Sequence, residues 1–123
     1  MQIEKFFKSV IEQDLAPVVI CDSAHTILYM NAAAVAQYSK FGGADLIGKS
    51  VLDCHGDKAR AIICKVVEWF AADKEHNRVH TYYSARNDRD VYMVALRDEI
   101  GRLIGYYEKH EYRARDMTPF YAF

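Results

Sequence analysis

A chain of 123 residues is long enough for one hydrophobic core and too short for two, and with 51% of its residues hydrophobic it reads as a globular domain. Its formal net charge of −1 argues against a nucleic-acid partner, whose affinity would come from neutralised phosphates. No apolar run approaches the ~20 residues that span a bilayer, Met1-Gln2-Ile3-Glu4-Lys5 lacks the basic-then-apolar order of a signal peptide, and three irregularly spaced cysteines fit reduced thiols, so no membrane partner and a cytoplasmic location are expected.

Residues 3 to 15 place Ile3, Phe6, Phe7, Val10 and Ile11 at spacings of three and four, an apolar stripe on a helix. Pro17 is expected to end it, because the residue before a proline is pushed out of the helical region. Val18-Val19-Ile20-Cys21 reads as a short buried strand, Asp22-Ser23-Ala24-His25 as a turn, and Thr26 to Met30 as the paired strand. Asn31 is placed to cap the alanine-rich helix that follows, its side-chain oxygen taking up a free backbone N–H.

From Lys40 to Asp57, Gly42, Gly43, Gly48 and Gly56 among polar residues predict loops and short helical turns. Asp57 is expected to cap a helix whose Ala59, Ile62, Ile63, Val66, Val67 and Phe70 fall on one face. After a charged connector at 73 to 77, Val79, Thr81 and Tyr83 alternate with Arg78, His80 and Tyr82 as a strand that ends in a turn at Asn87-Asp88. Val91 to Leu96 and Leu103 to Tyr112 then read as two strands joined by Asp98-Glu99-Ile100-Gly101, whose glycine tolerates positive φ. The order of helix, two strands, several helices and three strands implies an α+β fold, an antiparallel sheet with helices on one face.

That order, with three motifs, resembles a PAS domain over roughly residues 13 to 112. Ile27-Leu28-Tyr29-Met30-Asn31-Ala32-Ala33-Ala34 is similar to the family's strand-to-helix signature. Asp45-Leu46-Ile47-Gly48-Lys49-Ser50 is similar to its acidic-Leu-Ile-Gly-Lys segment before the long helix, and Arg97 to Gly105 to its last hairpin. The resemblance implies a five-stranded antiparallel sheet with helices on one face and an N-terminal helix. It divides the chain into an amphipathic helix at 1–15, the PAS-like domain at 16–112 and a tail at 113–123. It also implies a sensory, non-catalytic module that binds a small molecule between sheet and long helix, with the N-terminal helix on the sheet's outer face forming a homodimer through its apolar stripe. The Asp-Ile-Thr that often closes the family's last strand is replaced by His110-Glu111-Tyr112-Arg113, and no output segment follows, so action in trans on an unidentified partner is expected. A ligand-free protein–protein interaction module is the alternative.

The candidate ligand-binding residues are Asn31, Cys54, His55, Tyr92, Met93 and Tyr106, and the cofactor is left unassigned. Leu52-Asp53-Cys54-His55-Gly56 does not match the Asn-Cys-Arg-Phe-type segment of the flavin photosensors, so a flavin is disfavoured. A haem remains open only through His55, or through Cys54 as thiolate, because the interior of the long helix has no histidine. The plainer reading makes Cys54 a small core residue and His55 a loop residue bonded to backbone. No Cys-x-x-Cys or His-x-x-x-His spacing marks a metal site. Neither the Asp53/His55 nor the Cys54/His55 pair makes a catalytic motif, and no enzyme activity is expected. Nine tyrosines, many of them in strands, offer rings and hydroxyls to a ligand, or serve simply as good strand formers. Val91 and Met93 share one face of their strand and Tyr92 and Val94 the other, with the inward face left open. Arg97 is expected to pair with Asp98, Glu99 or a neighbour at the surface.

Overall fold

The computed structural model describes residues 2–123. Helix α1 covers Ile3–Glu12, strands β1 and β2 Val19–Asp22 and Ile27–Met30, and helix α2 Ala32–Gln37. Three short 3-10 turns carry the chain to helix α3 at Asp57–Ala72, and strands β3, β4 and β5 follow at Arg78–Ser84, Arg89–Arg97 and Leu103–Tyr112. The five strands form one sheet in the order β2-β1-β5-β4-β3, and every neighbouring pair is antiparallel. This is the α+β architecture expected from the sequence.

The β4–β5 hairpin is held by Asp98, whose Oδ1 accepts the backbone N–H groups of Ile100 and Arg102 at 3.1 and 2.9 Å. Gly101 supplies the turn's positive φ of 85°. On the same strand Gly105 is needed for a different reason. A Cβ there would lie 2.2 Å from the Cys21 carbonyl oxygen, so only glycine lets β5 pair closely with β1.

Val91 and Met93 are buried, so their face of β4 is the inward one and Tyr92 and Val94 point outward. α3 lays Val66, Val67 and Phe70 on that inner face. Ile62, expected on the same stripe, is exposed, because the first half of α3 stands off the sheet and only Ile63 reaches inward there. Asp57 is the first residue of α3 and not its cap; Gly56 holds the cap position. Its carboxylate instead sits in the first turn, where the helix dipole favours negative charge.

Strand β3 breaks its expected alternation. A bulge between His80 and Tyr82 lets Tyr82 pair with Val91, so Tyr82 and not Tyr83 shares the inner face beyond it. Thr81 uses its hydroxyl to close the irregularity, donating to the Val91 carbonyl at 3.0 Å. α1 also stops sooner than Pro17 requires, at Glu12. The Asn31 amide donates to the carbonyl of Ile11 in the helix's last turn and to that of Ala16, both at 3.0 Å, which fixes the chain's exit. Arg97 pairs with neither Asp98 nor Glu99. It forks into the end of α3, with Nη2 on the Phe70, Asp73 and His76 carbonyls at 2.7, 3.1 and 3.0 Å and Nε on Asn77 at 2.7 Å. The Phe70 carbonyl is one of the orphan acceptors that a helix C-terminus leaves, and a guanidinium serves it and its neighbours at once.

Candidate functional site

Between the first half of α3 and the sheet, side chains leave a cavity of about 130 Å³. Val19, Ile27, Met30, Leu46, Ile63 and Met93 form its apolar walls, and the 3-10 turns close it with Phe41, Val51, Cys54 and His55. Its polar lining comes from Cys21, Tyr38, Tyr106 and Glu108. Alternation along β5 brings Tyr106, Glu108 and His110 to one face, and Cys21 and Val19 lie beside them on β1.

Glu108 is the group with the most chemistry. Its Oε1 accepts the Tyr38 hydroxyl at 3.0 Å and His110 Nε2–H at 2.9 Å. Burial pushes its carboxyl up, but the hydrogen bond from His110, the charge of that ring and the Tyr38 hydroxyl outweigh burial and hold it below the ordinary glutamate range. It is therefore a carboxylate at neutral pH. Tyr38 is held strongly neutral by burial and by that carboxylate. Behind Glu108, away from the cavity, His110 Nδ1 and Arg89 Nε are buried without a partner, and Arg89 Nη2 donates to Gln37 at 2.6 Å.

At the other end Tyr106 meets His25 Nδ1 at 2.8 Å, ring edge to ring face. Burial raises the Tyr106 phenol, and it pushes the Cys21 thiol up to about 12, so both stay protonated. His55 sits with Nδ1 2.8 Å from the Val51 carbonyl. A carbonyl only accepts, so Nδ1 carries the hydrogen and Nε2 is left as the free nitrogen. The bond to backbone is the one expected of a loop histidine; Asp53 does not share it. Cys54 is exposed and not a core residue, yet it contributes to the cavity wall.

Of the six residues singled out from sequence, Cys54, His55, Met93 and Tyr106 line the cavity. Asn31 and Tyr92 lie outside it, each for a plain reason. Asn31 is fully buried as a staple, its Oδ1 accepting the N–H groups of Val18 and Ala34 at 2.9 Å while its amide binds the N-terminal segment. It is the cap of α2 that the sequence predicts, and more besides. Tyr92 is on the outer face, with His80 stacked on it at 4.8 Å and the Arg78 guanidinium 4.0 Å above its ring. Glu108 was not among the candidates; in Tyr107-Glu108-Lys109-His110-Glu111 it reads as one charge among several.

Among the described residues no group of three His, Cys, Asp or Glu side chains is arranged to hold a metal ion. No helix among them is long and apolar enough to cross a membrane. The two residues through which the sequence leaves a haem open, His55 and Cys54, both lie on the cavity wall, and the about 130 Å³ there is smaller than a haem.

An open five-stranded antiparallel sheet, crossed by one long helix beside a small cavity, defines a class of sensory domain. A family model described as the PAS fold matches residues 11–120, and the chain belongs to that family. PAS domains are sensory and signalling modules and generally not catalysts. No curated protein matches the chain in sequence. Among solved structures it is similar to the PAS domain of a protein from Colwellia psychrerythraea, at 15% identity and a TM-score of 0.65, over 89% of this chain and 96% of that one. It is similar also to the PAS domain of BvgS from Bordetella pertussis, at 17% identity and a TM-score of 0.61, over 94% and 89%. A dual PAS-heme oxygen sensor receptor from Vibrio cholerae matches at 18% identity and a TM-score of 0.57, over 76% and 90%. At these identities the likeness speaks for the fold.

Proposed function

We propose that this chain is a ligand-sensing PAS module that takes a small, uncoloured molecule into the cavity between α3 and the sheet and passes its occupancy on through a dimer. The observation that carries the reading is the cavity itself, about 130 Å³ of space that core side chains leave unfilled, with an ionised carboxylate on its wall. A module built only to bind partners would have that space packed solid. Occupancy selects among arrangements of the loop that closes the cavity, and a ligand shifts that balance by its preference for one of them.

The dimer is proposed through α1. It buries none of its residues, and Ile3, Phe6, Phe7 and Val10 are exposed along one side. Its last residue, Glu12, accepts the hydroxyl of Tyr29, which ties the end of α1 to the outer face of the sheet. There Tyr29, Ile20, Tyr107 and Val94 stand in register across four strands, half-buried. A second copy's stripe would cover both surfaces.

Native mass spectrometry with an absorption spectrum of the freshly purified protein tests the ligand. Added mass without colour supports the reading. A Soret or flavin band overturns it in favour of a cofactor sensor, and bare mass with no response to any small molecule favours the interaction module. For the dimer, Val10→Asp is expected to convert it to monomer in sedimentation equilibrium without loss of helix signal; a wild-type protein that sediments as a monomer removes that part of the proposal.

A further inference from the structure

The polar atoms on the cavity wall are unevenly assigned. Glu108 Oε1 is used twice, by Tyr38 and by His110, while Oε2 takes no hydrogen bond from the protein. His55 has its Nδ1–H committed to the Val51 carbonyl, and its ring lies on the same wall. Tyr38 has donated its hydroxyl hydrogen to Glu108, and Tyr106 is engaged with His25. No lysine or arginine lines the cavity, and His110, which bonds Glu108 Oε1, is not on the wall. The free capacity that the geometry leaves on this wall is therefore an acceptor, Oε2 of a half-buried carboxylate. An anionic ligand would find no strong donor and would face Glu108 directly, which desolvation makes costly.

Resting on the ligand-sensing reading above, we infer that the cavity takes a small primary amine in its protonated form, with the ammonium on Glu108 Oε2 and a branched or cyclic hydrocarbon body against Met30, Ile63 and Met93. An ammonium brings three donors and one positive charge, and so gives Oε2 the charged donor that His110 and Tyr38, both on Oε1, do not supply. Size agrees. An apolar cavity of ~150 Å³ holds benzene, so 130 Å³ calls for a body of similar size, about six heavy atoms, and excludes aromatic amines with long polar tails.

Isoamylamine, isoamyl alcohol and isovalerate share one hydrocarbon body and differ in the group presented to Glu108. Titrated at neutral pH into the intact chain, and followed by the methyl resonances of Met30 and Met93, the amine is expected to bind about tenfold or more tighter than the alcohol, the acid not at all. Glu108→Gln keeps the shape and is expected to erase the amine's advantage while the alcohol still binds. If the alcohol or the acid binds as well as the amine, the inference falls and the ligand-sensing reading stands. If none of the three moves either methyl at millimolar concentration, the inference falls, and the mass and absorption measurement above decides the ligand-sensing reading on its own. The ranking on the wild-type chain decides the matter even if the glutamine variant folds poorly.

Discussion

The two halves of α3 face the same sheet and do opposite things. The C-terminal half lays Val66, Val67 and a fully buried Phe70 against it, and Arg97 closes the helix end by binding the Phe70 carbonyl together with those of Asp73 and His76 just beyond it. The N-terminal half stands away, leaves Ile62 exposed and borders, through Ile63, a cavity whose wall carries a charged carboxylate. In the first of these, the C-terminal half, the inward side chains are packed and the Phe70 carbonyl is answered by Arg97. In the second, space and an acceptor are left over. A core that gave up this much contact for stability's sake would be poorly made; the same arrangement is what a binding site requires.

Substitutions sharpen the contrast. Phe70→Ala, in the packed half, is expected to cost about 3–5 kcal/mol of unfolding free energy in urea denaturation, since a ring removed from full burial leaves a void the helix cannot close. Arg97→Ala should follow at about 2–3 kcal/mol, because the carbonyls of Phe70 and His76 and the Asn77 side chain lose a charged donor together. Arg97→Lys is expected to recover little of it, an ammonium being unable to fork to several acceptors. Ile63→Ala, which borders the cavity, should cost only about 1–2 kcal/mol, since much of its side chain already faces empty space. If Ile63→Ala proved as damaging as Phe70→Ala, the two halves would be equally packed and the cavity would close in solution.

Much of this was legible in the sequence, and what was not has particular causes. The β4–β5 hairpin, the Asn31 cap and the α3 stripe follow from local periodicity and turn chemistry, which the structure keeps. Gly105 and Arg97 were not legible, because each answers a contact from an element distant in the chain: the Cys21 carbonyl and the end of α3. The β3 bulge escaped because nothing in Arg78 to Ser84 marks one residue as extra. Glu108 is the instructive case. Tyr106, Glu108 and His110 stand at spacings of two, so once Tyr106 is inward the other two must be, and a glutamate flanked by inward tyrosine and histidine is a half-buried charge with partners. The pattern was there; charge composition alone hid it.

Glu108 also gives the two halves different responses to acid. Its folded carboxyl titrates below the ordinary glutamate value of 4.5, held there by His110 and Tyr38 against the pull of burial. A carboxyl lowered on folding stabilises the folded state above its unfolded pKa, and that contribution drains away as pH falls from about 4.5 through the lower folded value. Wild type should therefore lose stability faster than Glu108→Gln between neutral pH and this window, the two curves converging at the acid end, as read from urea midpoints at each pH. Phe70→Ala, by contrast, should shift the wild-type curve down without changing its slope, because no titrating group lies in the packed half's apolar contact. A glutamine variant that kept the full acid slope would mean that Glu108 is not the carboxylate at work, and the charge on the cavity wall would have to be sought elsewhere.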